Sequence, residues 1–312
     1  MKKIVSLILV TAMIISLAGC GASGQNGSSA TEASGGAVTV TDMSGRNITL
    51  DTPAERIVAL TAADCEILYA IGAGDTLVGR GEYCDWPAEV LDVPSVESGY
   101  ETNIEQIIEL DPQVVLMGTM AQTKEQVEAL EEAGIHVVVS DAQDIEGVYE
   151  AIGMIGALMG KNAEAAGLIK DMQSEFSRLM EEAAGDGSET VYFEVSPLEY
   201  GLWAAGKGTF MDEIAGMLGL KNAFEEIDGW GEISEEQVID RAPDYIVTIS
   251  MYFGEGPTPE EEILSREGWE NIPAVKNGKI LNLQNNELSR PGPRLIDGAE
   301  ALFEFVYEED LD

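Results

Sequence analysis

"NIEQIIELDPQVVL" (residues 103–116) and "SEEQVIDRAPDYIV" (residues 234–247) are two forms of one pattern, the second starting 131 positions after the first (234 − 103). Each opens on a residue suited to cap a helix, Asn103 or Ser234, whose side chain accepts one of the first free N–H groups. Each carries a glutamine three residues on, Gln106 or Gln237, at the position from which a side chain reaches back to the cap. A helix follows, then a proline (Pro112, Pro243) that cannot continue it, then an apolar run that reads as a buried strand. Glu105 and Glu236 occupy the same place in the two copies. They lie in the first turn, where a carboxylate interacts favourably with the helix dipole. That interaction accounts for an acid at each helix start, but it does not require the same register twice.

Working outward, both copies sit in alternating strands and helices. "AVTVTDMSGRNITL" reads as a hairpin turning at "SGR". "RIVAL", "TLVGRGEY", "QVVLMG" and "IHVVVSD" read as strands, separated by the helices "ADCEILYAIGAG", the first copy of the pattern, and "TKEQVEALEEAG". Residues 145–182 break the alternation and are helical throughout, with a break at Gly160 and a second piece roughly 30 Å long at 1.5 Å per residue. Alternation then resumes through "TVYFEVS", "DYIVTIS", "KILNL" and a final helix. Continuous apolar strands alternating with helices predict an α/β fold with parallel sheets covered on both faces. The expected organisation is an N-terminal lobe over 38–144, a helical linker over 145–186 and a C-terminal lobe over 187–312.

Residues 1–20 read as a signal peptide: "MKK", an apolar run, then "LAGC". The last four resemble a bacterial lipobox, with Cys20 as the lipidated residue. Residues 21–37 are rich in Gly, Ser and Ala and read as a flexible tether reaching on the order of 20 Å. The expected location is the extracytoplasmic face of the cell membrane, held by a lipid anchor. Outside the cytoplasm a disulfide is permitted. Cys65 and Cys84 are the candidate pair, the alternative being two separate small core residues.

The formal net charge of −40, from 57 acidic and 17 basic residues, argues against nucleic acid as a partner. Much of it reads as a self-repelling surface, with some acids free to meet a basic partner. Enzyme constellations are missing. The one histidine, His136, lies in a strand pattern, which leaves no Ser/His/Asp or Cys/His set. No HExxH and no GxSxG occurs, and no His/Cys cluster suggests a metal site. "GLWAAGKGT" falls short of a phosphate loop, because Gly208 stands where a hydroxyl is required. An extracytoplasmic hydrolase using carboxylates stays open as the alternative.

Aromatic residues fall where strands end. Tyr83 and Trp86 stand in "EYCDWP", Tyr100 in "GYETN", Trp203 in "EYGLWAAG", Trp230 in "DGWGE" and Tyr252 in "MYFGEG". Ligands of open α/β sheets bind outside the carboxyl ends of the strands. Two facing lobes therefore predict a cleft walled by Tyr83, Tyr100, Trp203, Trp230 and Tyr252, while Trp86 and Trp269 pack in their own lobes. Arg290 and Arg294 in "LSRPGPRL" are placed either to fix an anionic group of a ligand or to pair with nearby acids.

Together the lipobox, "RIVAL", "YCDWP", both copies of the pattern, "GWENIPAVKNGKIL" and "SRPGPRLIDGAEAL" resemble an ABC-importer substrate-binding lipoprotein of the class that binds ferric siderophores, haem and cobalamin. The resemblance runs from about Arg56 to the C-terminus. It implies two Rossmann-like lobes joined by a rigid interdomain helix, with ligand between them and no cofactor beyond the cobalt or iron of the ligand itself. It also implies a monomer that docks on a permease dimer driven by a cytoplasmic ATPase, with Glu105 and Glu236 meeting permease arginines. Among ligands, Tyr83 and Trp230 match cobalamin-lining positions and Trp203 falls near one. Gly99 and Gly118 replace aromatics. Arg290, Arg294 and Arg80 are the basic candidates for a siderophore, and Tyr83 or Tyr100 for a haem ligand. The order is corrinoid, then ferric siderophore, then haem.

Overall fold

A computed structural model of the chain describes residues 36–98, 102–119, 123–252, 254–283 and 286–307; Cys20 and Tyr100 lie outside them. The N-terminal lobe starts with an antiparallel hairpin, β1 (Val38–Thr41) and β2 (Asn47–Leu50). There follow β3 (Ile57–Ala59), α1 (Ala62–Ala70), β4 (Leu77–Gly81), β5 (Ser95–Val96), α2 (Ile104–Glu109), β6 (Val114–Met117), α3 (Lys124–Glu132) and β7 (His136–Val139). Strands β3 to β7 form one parallel sheet in the order β5-β4-β3-β6-β7. The chain thus walks outward from β3 to β5, then crosses to the other side of β3 to lay down β6.

The linker consists of α4 (Ile145–Leu158) and α5 (Asn162–Glu182). They are parted at Gly160, whose φ of 64° is a conformation glycine adopts without a Cβ clash. The C-terminal lobe contains β8 (Thr190–Ser196), β9 (Trp203–Ala205), α6 (Phe210–Met217), β10 (Lys221–Asn222), β11 (Trp230–Glu232), α7 (Glu235–Arg241), β12 (Tyr245–Thr248), α8 (Pro259–Leu264), α9 (Pro273–Asn277), β13 (Ile280–Asn282) and α10 (Leu295–Tyr307). Its sheet runs β11-β9-β8-β12-β13, with β10 also paired to β8. Here too the chain steps outward from the central strand β8, then crosses it to place β12. The sheet is not wholly parallel, as the alternation predicted. β9 runs antiparallel to both of its neighbours, β8 and β11, because the link from β8 to β9 is too short for a crossover.

The repeated pattern is therefore the crossover of each lobe. Its helix covers the sheet, and its strand lands beside the first. The equivalence extends residue by residue at the same offset. Ile107 and Val238 anchor the two helices, each fully buried. Asp111 and Ala242, each before the proline, both adopt positive φ (48° and 46°). A residue before proline is pushed out of the right-handed helical region, and the reversal into the strand takes the left-handed one. Gln113 and Asp244 each turn a side chain back to accept from the backbone at the start of the neighbouring strand, at Arg56 and Thr190 respectively. Within the strands, Val114 and Leu116, like Tyr245 and Val247, face one continuous apolar core that also takes in α4 and α5. Val115 and Ile246 face the opposite way, into separate clusters under the crossover helices. The linker is packed into the core of both lobes and is not a free tether.

Only Ala242 of the left-handed pair lacks a polar side chain to compensate. Left-handed backbone costs an alanine about 1–2 kcal/mol, part of which glycine returns as chain entropy. Ala242→Gly is expected to stabilise the fold by about 0.5–1 kcal/mol, read as a higher urea midpoint at constant slope.

Candidate functional site

The carboxyl ends of the central strands open on a cavity of about 1040 Å³ between the lobes. From the N-terminal lobe, Thr61 follows β3, Gly118 and Thr119 follow β6, and Ser140 and Asp141 follow β7; Asp64 reaches in from α1. From the C-terminal lobe come Val195 of β8, Ile249 after β12, Phe210 and Met211 of α6, and the indoles of Trp203 and Trp230. The first wall is thus hydroxyl- and carboxylate-rich, and the second is apolar and aromatic.

Trp230 is held on two sides. Its Nε1–H donates to Gln143 Oε1 at 3.1 Å, and its ring lies 5.5 Å from that of Phe210. Gln143 stands just before α4 and also accepts at its backbone carbonyl from Phe210 N–H. Trp203 pairs in β9 through its backbone and leaves 39% of its surface open. The Asp64 carboxylate is fully buried. Thr61 Oγ1 donates to Oδ2 at 2.5 Å, while Oδ1 has no hydrogen-bond partner. Burial pushes this carboxyl up to about 6. The Asp141 charge adds to the rise, and the Thr61 and neighbouring Ser140 hydroxyls oppose it.

Not every predicted site residue is at the cavity. Trp203, Trp230 and Arg290 line it; Tyr83, Tyr252 and Arg294 are not among its lining residues. Tyr83 is 65% exposed and contributes its carbonyl, and the Tyr252 hydroxyl donates to the carbonyl of Gly256 in its own loop. Neither arginine is held ready for an anion. Arg290 donates to Glu66 Oε1 (3.1 Å), to Asp85 Oδ1 (2.6 Å) and to the Tyr83 carbonyl (2.9 Å). Arg294 pairs with Glu287 and reaches Glu66, and its guanidinium lies over the Trp86 ring at 4.5 Å. Arg290 ties the segment before α10 to the N-terminal lobe, because both carboxylates it neutralises are there; Arg294 adds a longer contact to Glu66 and its packing on Trp86, while its shorter pair, Glu287, belongs to its own segment. Trp86 consequently packs under a residue of that segment and not only within its own lobe. Trp269 is fully buried beneath Arg266, as expected.

The candidate disulfide is not formed. Cys65 and Cys84 are both buried thiols, each directed at the Ala59 carbonyl at 3.8 and 3.9 Å. The adjacent Cys84 and burial push the Cys65 thiol well above the usual thiol range. His136 is exposed at the start of β7, the end away from the cavity. Among the described residues no group of three or more His, Cys, Asp or Glu side chains is placed to hold a metal ion.

Glu105 and Glu236 each occupy the second residue of their helix and are exposed. Their surroundings differ in one respect. Ser234 and Gln237 close a full capping box. At the first copy Asn103 still accepts from Gln106 N–H, but its own N–H donates to the Glu97 carbonyl. Gln106 Oε1 is thereby released to accept from Glu97 N–H. The backbone at Glu236 and the Ser234 hydroxyl hold the Glu236 carboxyl below the usual carboxylate value. Asp64, the threonine and serine hydroxyls and Phe210 also line the cavity, outside the strand-end aromatics and arginines that the sequence singles out. The positions that follow β3, β6 and β7, among them Leu60 and Thr61, Gly118 and Ser140, carry the signal for this wall in the sequence.

The sequence profile of the periplasmic binding protein family matches residues 57–287. The uncharacterised ABC transporter substrate-binding lipoprotein YvrC of Bacillus subtilis is 34% identical over 278 residues, 87% of this chain and 86% of that protein. The vitamin B12-binding protein of Salmonella typhimurium is 28% identical over 253 residues, 80% of this chain and 89% of that protein. The crystal structure of a possible iron-binding (periplasmic solute-binding) protein from Staphylococcus epidermidis aligns with a TM-score of 0.71 at 29% identity, covering 82% of this chain and 100% of that one.

Proposed function

Because the chain belongs to the periplasmic binding protein family, whose members are substrate-binding components of transporters and not enzymes, we propose that it captures a corrinoid outside the cytoplasmic membrane and delivers it to an ABC permease. Family membership removes the carboxylate hydrolase as an alternative. The observation that carries the ligand reading is the pairing of a large, aromatic-walled cavity with the absence of an unpaired cation among its described lining residues. A volume of about 1040 Å³ is at the top of the range for small-molecule sites and suits a bulky ligand. Trp203 and Trp230 offer broad apolar contact at little entropic cost. Arg290, the one basic residue among the described lining residues, is already neutralised by Glu66 and Asp85. Asp64 and Asp141 face the same space, and they repel the propionates of haem and the carboxylates of acidic siderophores. The vitamin B12-binding relative points the same way.

In this reading Cys20 carries the lipid, residues 21–37 tether a monomeric receptor to the membrane, and Glu105 with Glu236 sets it on a dimeric permease served by a cytoplasmic ATPase. Charges at equivalent places on the two lobes suit a two-fold partner, fixing register and speeding encounter. Titration of tryptophan fluorescence with cobalamin, haem and a ferric hydroxamate siderophore tests the ligand. Cobalamin is expected to saturate the signal at the lowest concentration. Tight binding of haem or siderophore with none of cobalamin would overturn the choice of corrinoid while leaving the receptor role standing.

A further inference from the structure

We infer that Asp64 is a specificity-determining ligand contact: its free oxygen accepts a hydrogen bond from an amide N–H of the ligand, so that the polar wall takes the amide-bearing face and Trp203 and Trp230 take the apolar one. The inference rests on the corrinoid reading, since a corrinoid carries peripheral carboxamides around a broad conjugated ring.

The geometry isolates one atom. Asp64 is the third residue of α1 and is fully buried at the cavity. Its Oδ2 is held by the Thr61 hydroxyl at 2.5 Å, while its Oδ1 is buried and makes no hydrogen bond, the nearby Ser140 hydroxyl only tempering the rise of the carboxyl. A buried acceptor left unpaired is costly and uncommon in native folds. In a wall facing a cavity it marks a place where a partner arrives with the ligand. The neighbouring acid is differently placed. Asp141 accepts from Thr119 Oγ1 at Oδ2 and from Gln143 Nε2 at Oδ1, which satisfies both of its oxygens within the protein. The charged and titratable groups around Asp64 are Asp141 after β7, Cys65 beside it on α1, and Arg290, which is committed to Glu66 and Asp85. No cation competes for Oδ1, and a second anion here would be repelled. A neutral donor is the chemistry that fits.

Burial pushes this carboxyl up to about 6, and a bound N–H donor favours its ionised form. Affinity should therefore rise with pH and be lost as the carboxylate protonates below that value. If only the ionised form accepts, binding at pH 5 is about ten-fold weaker than at pH 7.

The test is calorimetric titration of the purified full chain, the Asp64→Asn variant and the Asp64→Leu variant with cyanocobalamin at pH 5, 6 and 7. Asp64→Asn is close in shape and keeps a neutral acceptor. A thermal melt of each variant checks that it is folded. The expected results are the ten-fold pH effect in the parent chain, a flat profile in Asp64→Asn, and at least about ten-fold weaker binding in Asp64→Leu at pH 7. Equal affinity in all three, or the same pH profile surviving in Asp64→Asn, overturns the role of Asp64 and leaves the corrinoid reading intact. No binding by the parent chain at any of the three pH values defeats the corrinoid reading itself.

Discussion

Replacing Glu105 and Glu236 together by alanine is expected to abolish ligand uptake while leaving ligand affinity unchanged. Both carboxylates are exposed at the second position of the two crossover helices, and neither lines the cavity. The helices do not depend on them for position. Ile107 and Val238 anchor them in the cores, and Asn103 and Ser234 satisfy their first N–H groups. The fold and the cleft should therefore survive the change. What is lost is a pair of charges on equivalent points of two lobes, the arrangement that a two-fold permease with basic sockets would read. Removing one partner of a charge pair that is buried on docking typically weakens association by more than ten-fold. The loss of both should leave uptake near background, with each single variant between. Uptake of labelled ligand into proteoliposomes holding the permease, beside calorimetric affinity for the same proteins, separates docking from binding. Uptake at the parent rate in the double variant removes the docking role.

Arg290→Met is expected to destabilise the fold by about 3–5 kcal/mol, the usual result of stripping one partner from a buried ion pair. Glu66 is 3% exposed, and one of its oxygens already lacks a partner. Burial pushes its carboxyl above the usual carboxylate range, and the pull of Arg290 and Arg294 restrains the rise. Without Arg290 the rise is larger and the ionised form is left poorly compensated. The sign with pH follows. A carboxyl raised in the folded state contributes stability that is present below its unfolded value and is lost as pH rises through its folded value. The deficit of Arg290→Met should therefore be greatest at neutral pH and shrink as Glu66 protonates on acidification. Urea unfolding at pH 7 and at about pH 5 checks the trend. Adding Glu66→Gln should return part of the loss, as neighbouring sites in one network are not additive. An Arg290→Met protein of parental stability at both pH values would mean that the arginine is not a clamp.

The two lobes were legible because their information is local. A cap, a proline and four buried residues mark each crossover, and the repetition of that unit implies two sheets. The break at Gly160 is equally local. The shared core follows from the alternation of Val114, Val115 and Leu116 once the strand is placed. The roles of Arg290 and Arg294 were not legible. An arginine that binds an anion and one that clamps a buried acid are the same letter, and the acids paired with Arg290 lie 224 and 205 positions away in the chain. β9 and β11 are three residues each, too short to show a period. Tyr83 and Tyr252 stand in loops whose path decides whether a ring enters the cleft, and composition does not carry that path. Asp64 is not legible either, because an acid in a helix's first turn is explained by the helix dipole alone. Only the packing shows that it is buried and half satisfied.

In the proposed function a corrinoid lies between the lobes against Trp203 and Trp230. Calorimetric titration of the full chain with cyanocobalamin, beside the Trp203→Ala/Trp230→Ala double variant, tests it most directly. One-to-one binding tighter than about micromolar is expected in the parent chain, with a loss of about two orders of magnitude in the double variant. An absence of binding in the parent chain, or equal affinity in both proteins, contradicts it.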